Sequence, residues 1–321
     1  MPEGGNNRLD GTRLGALLIM LALISGGCAP KDLYRSHLLV HRPSPHAGVT
    51  VTWLGTAGVL ISDGRTGILI DPYVSRFGLF RIGLGLPLSA DQDLIRWWVK
   101  GWGADTIKAV IVSHSHFDHA VDAPYFALES GALLLGSEST LNIGRGAGLA
   151  EERLNLVQPG QAIKLGDFSL TFIESRHGPA LFGRIPYPGT IERPLIPPRP
   201  ARDYKLGDTY AILIQHPSGT ILHHGSAGYL PGMYDGVEAD VVLLGIAGRG
   251  DTGAYLNKVP LMVKARMVVP IHFDDFFRPL KQGVAFLHSA HFAEFCATAE
   301  KSSLAIKTLP LCEPVRILPE N

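Results

Sequence analysis

The stretch "DTIKAVIVSHSHFDH", residues 105–119, carries an apolar run directly into three histidines and one aspartate. Isoleucine and valine dominate the run, which reads as a buried β-strand ending in a polar loop. The loop has the pattern HxHxDH. His114 and His116 leave an extended backbone on the same side, so both imidazoles can reach one cation. Asp118 and His119 lie where the chain turns and can address a second cation nearby. Neutral imidazole with carboxylate is a donor set suited to zinc, and iron and manganese accept it too. The plain alternative is a histidine-rich surface loop. That would be the better reading of a single histidine, but not of this pattern after a buried strand.

The same alternation of strands and helices continues on both sides. "GVTVTWLGTAGVLISDG" and "TGILIDPY" read as a β-hairpin with Asp71 at the end of its second strand. "DAPYFALESGA" reads as a helix beginning near Asp122, with Pro124 in its first turn, and "ALLLGS" as the next strand. A strand pair ends at His177. Further strands follow in "DTYAILIQHPSGTILHHGSAG", "ADVVLLGIAG" and "ARMVVPIHF", with "NKVPLMVK" read as helical between the last two. "AHFAEFCATAEKS" reads as a late helix and "VRIL" as a closing strand. Two segments break the rhythm. Residues 74–103 hold Trp97, Trp98 and Trp102, with a short amphipathic helix in "DLIRWWVK"; residues 178–206 are dense in proline. Strand-rich front and back halves suggest two sheets with helices outside, an α/β protein. No GxGxxG turn follows the first strand, which argues against a dinucleotide-binding fold.

Composition sets the outer bounds. The chain has 321 residues, 46% hydrophobic and 18% charged, as a compact globular protein does. Lys plus Arg equals Asp plus Glu at 29 each, so no overall field draws in nucleic acid. Arg8 and Arg13 precede "LGALLIMLALISGGC", an apolar stretch of signal-peptide length. It resembles a bacterial lipoprotein signal that would leave Cys28 as the lipidated first residue. The expected organisation is a signal over residues 1–27, a tether over 28–47, and one domain over 48–321. The expected location is the bacterial cell envelope, facing the periplasm, with the membrane reached through the anchor on Cys28. In an oxidising compartment Cys296 and Cys312 could pair, or remain as two thiols.

"HSHFDH", "WLGTAGVLI" and "ILIDP" together resemble the metallo-β-lactamase superfamily, from about Val51 to the C-terminus. Within it they look most like the branch of ascorbate-6-phosphate lactonase and N-acylphosphatidylethanolamine phospholipase D. The resemblance implies a four-layer αββα sandwich with a metal site at one edge. It implies that His114, His116 and His177 hold a first metal, and that Asp118, His119 and His272 hold a second, zinc being the expected ion. Asp71 would orient a ligand histidine from behind. The family's bridging Asp is missing: Ser226, in "ILHHGSAGY", stands at its position. A neutral hydroxyl cannot supply that charge, so His224, on the same strand face by period two, or Asp274, just beyond His272, is the candidate to compensate. His223, His288, His291, His41, His46 and His216 attract no role.

The chemistry that follows is hydrolysis. A hydroxide held by one or two metals would attack a phosphodiester, lactone or other ester, with Asp118 orienting it or passing its proton to the leaving group. "GSAG" lacks the GxSxG spacing of a serine nucleophile. The two irregular segments would wall a cleft, and their apolar content suits a small or lipid-like substrate. The rival is a degenerate metal- or ligand-binding envelope lipoprotein, and a further reading is redox work at iron. The sequence leaves the oligomeric state open.

Overall fold

A computed structural model describes residues 29–40, 48–180, 183–302 and 304–318. The signal-like segment with Cys28, together with His41 and His46, lies outside these residues. Short runs rich in β-branched and leucine side chains form two seven-stranded sheets. The first runs, edge to edge, Pro314–Arg316, Thr50–Trp53, Val59–Ser62, Gly67–Ile70, Ile107–Ile111, Leu133–Gly136 and Leu154–Leu156. The second runs Ala305–Ile306, Met267–Ile271, Val241–Gly245, Gly219–His224, Tyr210–His216, Phe168–Glu174 and Ala162–Leu165. Each sheet has antiparallel pairings toward one side and parallel pairings toward the other.

Alternation along the strands explains the layering. In the first sheet Val51, Ile61, Ile68, Ile70, Ala109 and Ile111 face the second sheet and share a core with Leu170, Phe172, Ile212 and Leu222. Their neighbours Leu60, Leu69 and Val110 face outward, against Ile95 and Val99 of helix Gln92–Trp102 and Phe126 of helix Ala123–Ser130. Helices Thr252–Lys258 and Phe292–Lys301 pack with the second sheet through Tyr255, Leu256, Phe295 and Cys296. The result is a mixed α/β fold of two sheets flanked by helices.

Two elements differ from the sequence reading. Residues 29–36, read as tether, form a helix (Ala29–Ser36) whose Tyr34 hydroxyl donates to the Leu309 carbonyl. Leu33, Tyr34 and Leu39 give that segment enough apolar surface to dock. The helix expected in "NKVPLMVK" lies earlier, at Thr252–Lys258, because the Asp251 side chain caps it at Ala254 N and Pro260 follows its end. Cys296 and Cys312 are free thiols, whose pKa values burial pushes up to about 12 and about 11.

The two irregular segments are joined. Pro87–Leu88 pairs with Arg199–Pro200 as a two-stranded ribbon. The proline-rich segment is also fastened to helix Glu138–Gly146: Asn142 Nδ2 donates to Ile191 O, and Leu195 N donates to Asn142 O. A Cβ on Gly146 would sit 2.0 Å from Leu195 O, so only glycine allows this approach.

Candidate metal centre

Parallel strands deliver most of the site from their carboxyl ends. Asp71 follows Gly67–Ile70, the HxHxDH loop follows Ile107–Ile111, and His272 follows Met267–Ile271. In open α/β sheets this edge is where ligands gather, because the chain must leave the sheet there and its loops converge. His177 arrives from the second sheet, after Phe168–Glu174. Asp71 and His272 both have left-handed backbone (φ +47° and +55°), strain of the kind that collects at functional sites.

Two triads result. One ligand atom from each of His114, His116 and His177 lies within 4.8 Å of the others, and the same holds for Asp118, His119 and His272. The imidazoles crowd together, tilted or edge to face: His114 lies 3.9 Å from His119, 4.8 Å from His116 and 4.8 Å from His177, ring centre to ring centre. Asp118 Oδ2 lies 3.3 Å from His272 Nε2 and 3.6 Å from His119 Nε2.

The hydrogen bonds assign the protons. A carbonyl or carboxylate oxygen only accepts, so the ring nitrogen facing it must carry hydrogen. His116 Nε2 donates to Pro186 O at 2.8 Å, His177 Nδ1 to Gly178 O at 2.6 Å, and His119 Nδ1 to Asp71 Oδ2 at 2.9 Å. Ser113 gives its one proton to Asp71 Oδ2 at 2.5 Å, so its oxygen accepts from His114 Nδ1 at 3.3 Å. In each of these histidines the second nitrogen is left with its lone pair. For His114 that atom, Nε2, is buried and has no hydrogen-bond partner.

Burial favours the neutral imidazole that a metal needs. It depresses His114 well below the ordinary histidine range. It takes His116 to about 3, helped by His177, and His177 to about 4. Asp118 is the reverse case: burial alone would raise it, but His119, His272 and His116 together hold it well below the usual carboxylate range. For His119 burial is outweighed by Asp71 and Asp118, and its pKa rises. Buried lone pairs converging beside an ionised carboxylate fit one or two divalent metal ions. His114, His116 and His177 would hold one, and Asp118, His119 and His272 the other.

The remaining candidates sit around this set. Asp71 is fully buried and ties His119 to Ser113, accepting from Ser113 N at 2.7 Å as well. Ser226 lies beside His177: its Oγ donates to Arg176 O at 3.3 Å, and its carbonyl accepts from Gly178 N. His224 is turned to Tyr234 and Tyr255, away from the triads. The strand ends at His224, so period two does not carry across to Ser226. His223 instead reaches Ala57 O at 2.9 Å. Asp274 is committed to Arg76 at 2.9 Å, with both side chains buried, and also accepts from Thr56 N. Thr56 O in turn accepts from His272 N at 2.7 Å, so this ion pair frames the His272 loop and leaves no carboxylate to spare. Among the described residues no other carboxylate joins the two triads. Sequence reading missed the Ser113 hydroxyl, the Arg76 guanidinium, the Pro186 carbonyl and the Tyr187 ring, whose contacts with the site no local motif marks.

Comparisons with known proteins bear on the family and the fold. Residues 50–272 match the family described as "Beta-lactamase superfamily domain". The chain is 26% identical to a UPF0173 metal-dependent hydrolase of Polynucleobacter asymbioticus over 81% of its own length and 83% of that protein's. It is also 26% identical to one of Myxococcus xanthus, over 85% and 88%. Among solved structures it resembles Igni18, a metallo hydrolase of Ignicoccus hospitalis (TM-score 0.55, 19% identity, 85% and 99% of the two chains). It likewise resembles an isothiocyanate hydrolase from Delia radicum gut bacteria (TM-score 0.53, 15% identity, 84% and 99%). At these identities the structures speak for the fold, and the family match spans most of the described domain. The chain belongs to the metallo-β-lactamase superfamily.

Proposed function

We propose that the protein is a metal-dependent hydrolase acting on a phosphodiester, lactone or other ester with an apolar portion. One observation carries the reading: two adjoining triads in which imidazole lone pairs, that of the buried His114 Nε2 without any hydrogen-bond partner, converge beside one ionised carboxylate. Bound there, divalent metal ions would polarise the scissile carbonyl or phosphoryl group and make water a nucleophile at neutral pH. Asp118, ionised and next to both triads, orients the attacking water and accepts its proton. Asp71 holds His119 in place through Nδ1, while the carbonyls of Pro186 and Gly178 hold His116 and His177.

Ser226 in place of a bridging aspartate removes one negative charge between two dications, and Asp274 does not make up for it. The second ion, at Asp118, His119 and His272, is therefore held more weakly than the first. Zinc is the expected ion at the first triad. Exposed Phe80 (70%), Leu84 (66%) and Ile196 (64%) on the joined irregular segments suit a lipid-like or acyl-bearing substrate. The motifs "WLGTAGVLI" and "ILIDP" favour the lactonase and phospholipase D-like branch, and the signal-like run ending at Cys28 favours an envelope lipoprotein.

The test is to load the purified chain with zinc, manganese or iron and measure metal content and turnover of bis(4-nitrophenyl) phosphate, a lactone and a 4-nitrophenyl ester. Metal-dependent turnover of any of them supports the reading. Tight metal binding without turnover of any ester class would favour the degenerate binding protein instead.

A further inference from the structure

We infer that Tyr187 is a substrate-contacting residue whose phenol hydroxyl donates a hydrogen bond to the oxygen that gains negative charge when the ester or phosphodiester is attacked. The inference rests on the hydrolase reading above and adds a residue to it.

The backbone gives the first observation. Tyr187 has φ +41°, a left-handed conformation that a bulky L residue rarely adopts and that costs on the order of 1–3 kcal/mol. Pro188 follows it, and a residue before proline is pushed toward extended backbone, which makes the conformation still less favourable. Gly183 and Gly189, close by, take positive φ at no such cost, so the chain has ready means of turning without a tyrosine here. What over-determines the conformation is the metal loop itself. Pro186 O accepts from His116 Nε2, Tyr187 O accepts from Leu206 N at 2.9 Å, and Leu206 O accepts from Ser115 N at 2.8 Å. Gly189 O accepts from Gly207 N at 2.9 Å. Residue 187 is thus stitched to the HxHxDH loop from both sides.

The ring gives the second. It stands edge-on to His116, 6.3 Å centre to centre, and is half-buried against the outer core. After burial itself, Asp118 is the group that raises the phenol's pKa, while Arg202 opposes it, so the hydroxyl lies within electrostatic reach of both.

The third is an unspent donor. A tyrosine hydroxyl in a half-buried setting ordinarily finds a partner. Among the described residues Tyr34 donates to Leu309 O and Tyr255 to Gly245 O, whereas the hydroxyls of Tyr125, Tyr187, Tyr204 and Tyr229 have no protein partner; of these four, Tyr187 is the one whose ring stands against a candidate metal ligand. A phenol held beside the candidate metal centre by a strained backbone is within reach of an oxyanion formed there. If the ring served only as packing, phenylalanine would do as well.

Tyr187→Phe removes the hydroxyl and keeps the ring. Zinc-loaded wild type and variant are compared in zinc stoichiometry, melting temperature, affinity for inorganic phosphate by calorimetry, and kcat and KM for bis(4-nitrophenyl) phosphate and a 4-nitrophenyl ester. The expected result is unchanged zinc and melting temperature, with phosphate affinity and kcat/KM each reduced roughly ten-fold or more, the latter mainly through kcat. Equal phosphate affinity and equal kcat/KM in the two proteins would overturn the assignment. So would a variant that loses zinc or melts early, since that marks a packing role. A wild type that holds zinc yet neither binds phosphate nor turns over these probes or a lactone overturns the hydrolase reading itself. Wild-type activity matched by the variant overturns only Tyr187.

Discussion

The sandwich carries a histidine–carboxylate cluster at each end, and the two behave differently. At one end are the triads of His114, His116 and His177 and of Asp118, His119 and His272. At the other, in the hairpin turns, Asp63, Asp167 and His216 bring ligand-type atoms within 4.8 Å of one another. Strand Gly67–Ile70 runs from the turn holding Asp63 to Asp71 behind the first cluster. By residue type both ends look fit for a metal, and the hydrogen bonds separate them. At the triads, carbonyl, carboxylate and serine oxygens take the outward N–H of four imidazoles, so the lone pairs turn inward. At the turns, the Ser218 backbone N–H donates to His216 Nδ1 at 3.1 Å. That consumes a lone pair and leaves the ring hydrogen on Nε2, which faces Asp63 Oδ2 at 3.8 Å. Asp63 Oδ1 is taken by the N–H groups of Arg65 and Thr66, and Arg65 already brings a positive charge to Asp167. The turn cluster thus ties two hairpins through Arg65 and Asp167, while His216 Nε2 and Asp63 Oδ2 make no hydrogen bond; proton placement, not residue type, makes the other end the candidate metal site.

The largest expected effect tests that contrast directly. His114→Ala removes a lone pair at the centre of the first triad and should abolish metal retention and hydrolysis, well beyond the roughly 10–100-fold typical of losing an outer partner. His216→Ala should leave metal stoichiometry and turnover as in the wild type. Metal analysis after dialysis, alongside an activity assay, checks both. Metal lost equally from the two variants would erase the distinction.

Next in size is Asp71→Asn. The carboxylate accepts from His119 Nδ1, Ser113 N and Ser113 Oγ at once, and an amide places an NH2 where one of those donors points. Metal affinity or activity should fall roughly 10–100-fold, measured by chelator competition. An unchanged competition curve would show that His119 keeps its orientation without that charge.

The third effect is pH dependence of the metal-stripped protein. His116 and His177 have folded pKa values of about 3 and about 4, below the ordinary 6.5, and His114 shifts the same way. As pH falls from about 6.5 toward 4, the unfolded chain takes up protons at these positions while the folded chain does not. Stability is therefore lost across that window. His119, Asp122 and Asp275, whose pKa values are raised, work in the opposite direction, but the buried rings of His223 and His224 are lowered too, so five imidazoles outweigh three groups. Urea midpoints of chelated protein should drop on acidification, and a flat or rising series would mean that these imidazoles are not buried as neutral rings.

How much of this was legible follows from range along the chain. The HxHxDH loop declared itself because all its donors lie within six positions after a buried strand. His177 and His272 were readable only as members of a set, since each alone is an ordinary strand-end histidine. Asp71 was readable because a strand stops there. The tautomers were not, because they depend on the carbonyls of Pro186 and Gly178 and on the Ser113 hydroxyl, which local periodicity does not locate. His224 was set beside Ser226 by period two, yet the strand ends at His224 and the ring turns to Tyr234. Asp274 was a plausible spare carboxylate until Arg76, nearly 200 positions earlier, was found against it.

The smallest effect belongs to the turn cluster. Arg65 and Asp167 are 82% and 50% exposed at their side chains, with 3.1 Å between Nη2 and Oδ2. Water screens such a pair, and holding two mobile side chains costs entropy, so exposed pairs contribute about 0–1 kcal/mol. Asp167→Ala should therefore change stability by no more than about 1 kcal/mol. Asp63→Ala should cost more, because Asp63 Oδ1 accepts from Arg65 N at 2.8 Å and Thr66 N at 2.6 Å, and both donors would lose their protein acceptor. The order of the two losses discriminates between a latch and a cation site. A latch depends on the buried turn carboxylate and hardly on the exposed one, and added zinc should shift neither midpoint. If Asp167→Ala destabilised as much as Asp63→Ala, and zinc raised the wild-type midpoint but not that of either variant, the turn cluster would bind a cation after all, and the inward N–H assigned to His216 Nε2 would be wrong.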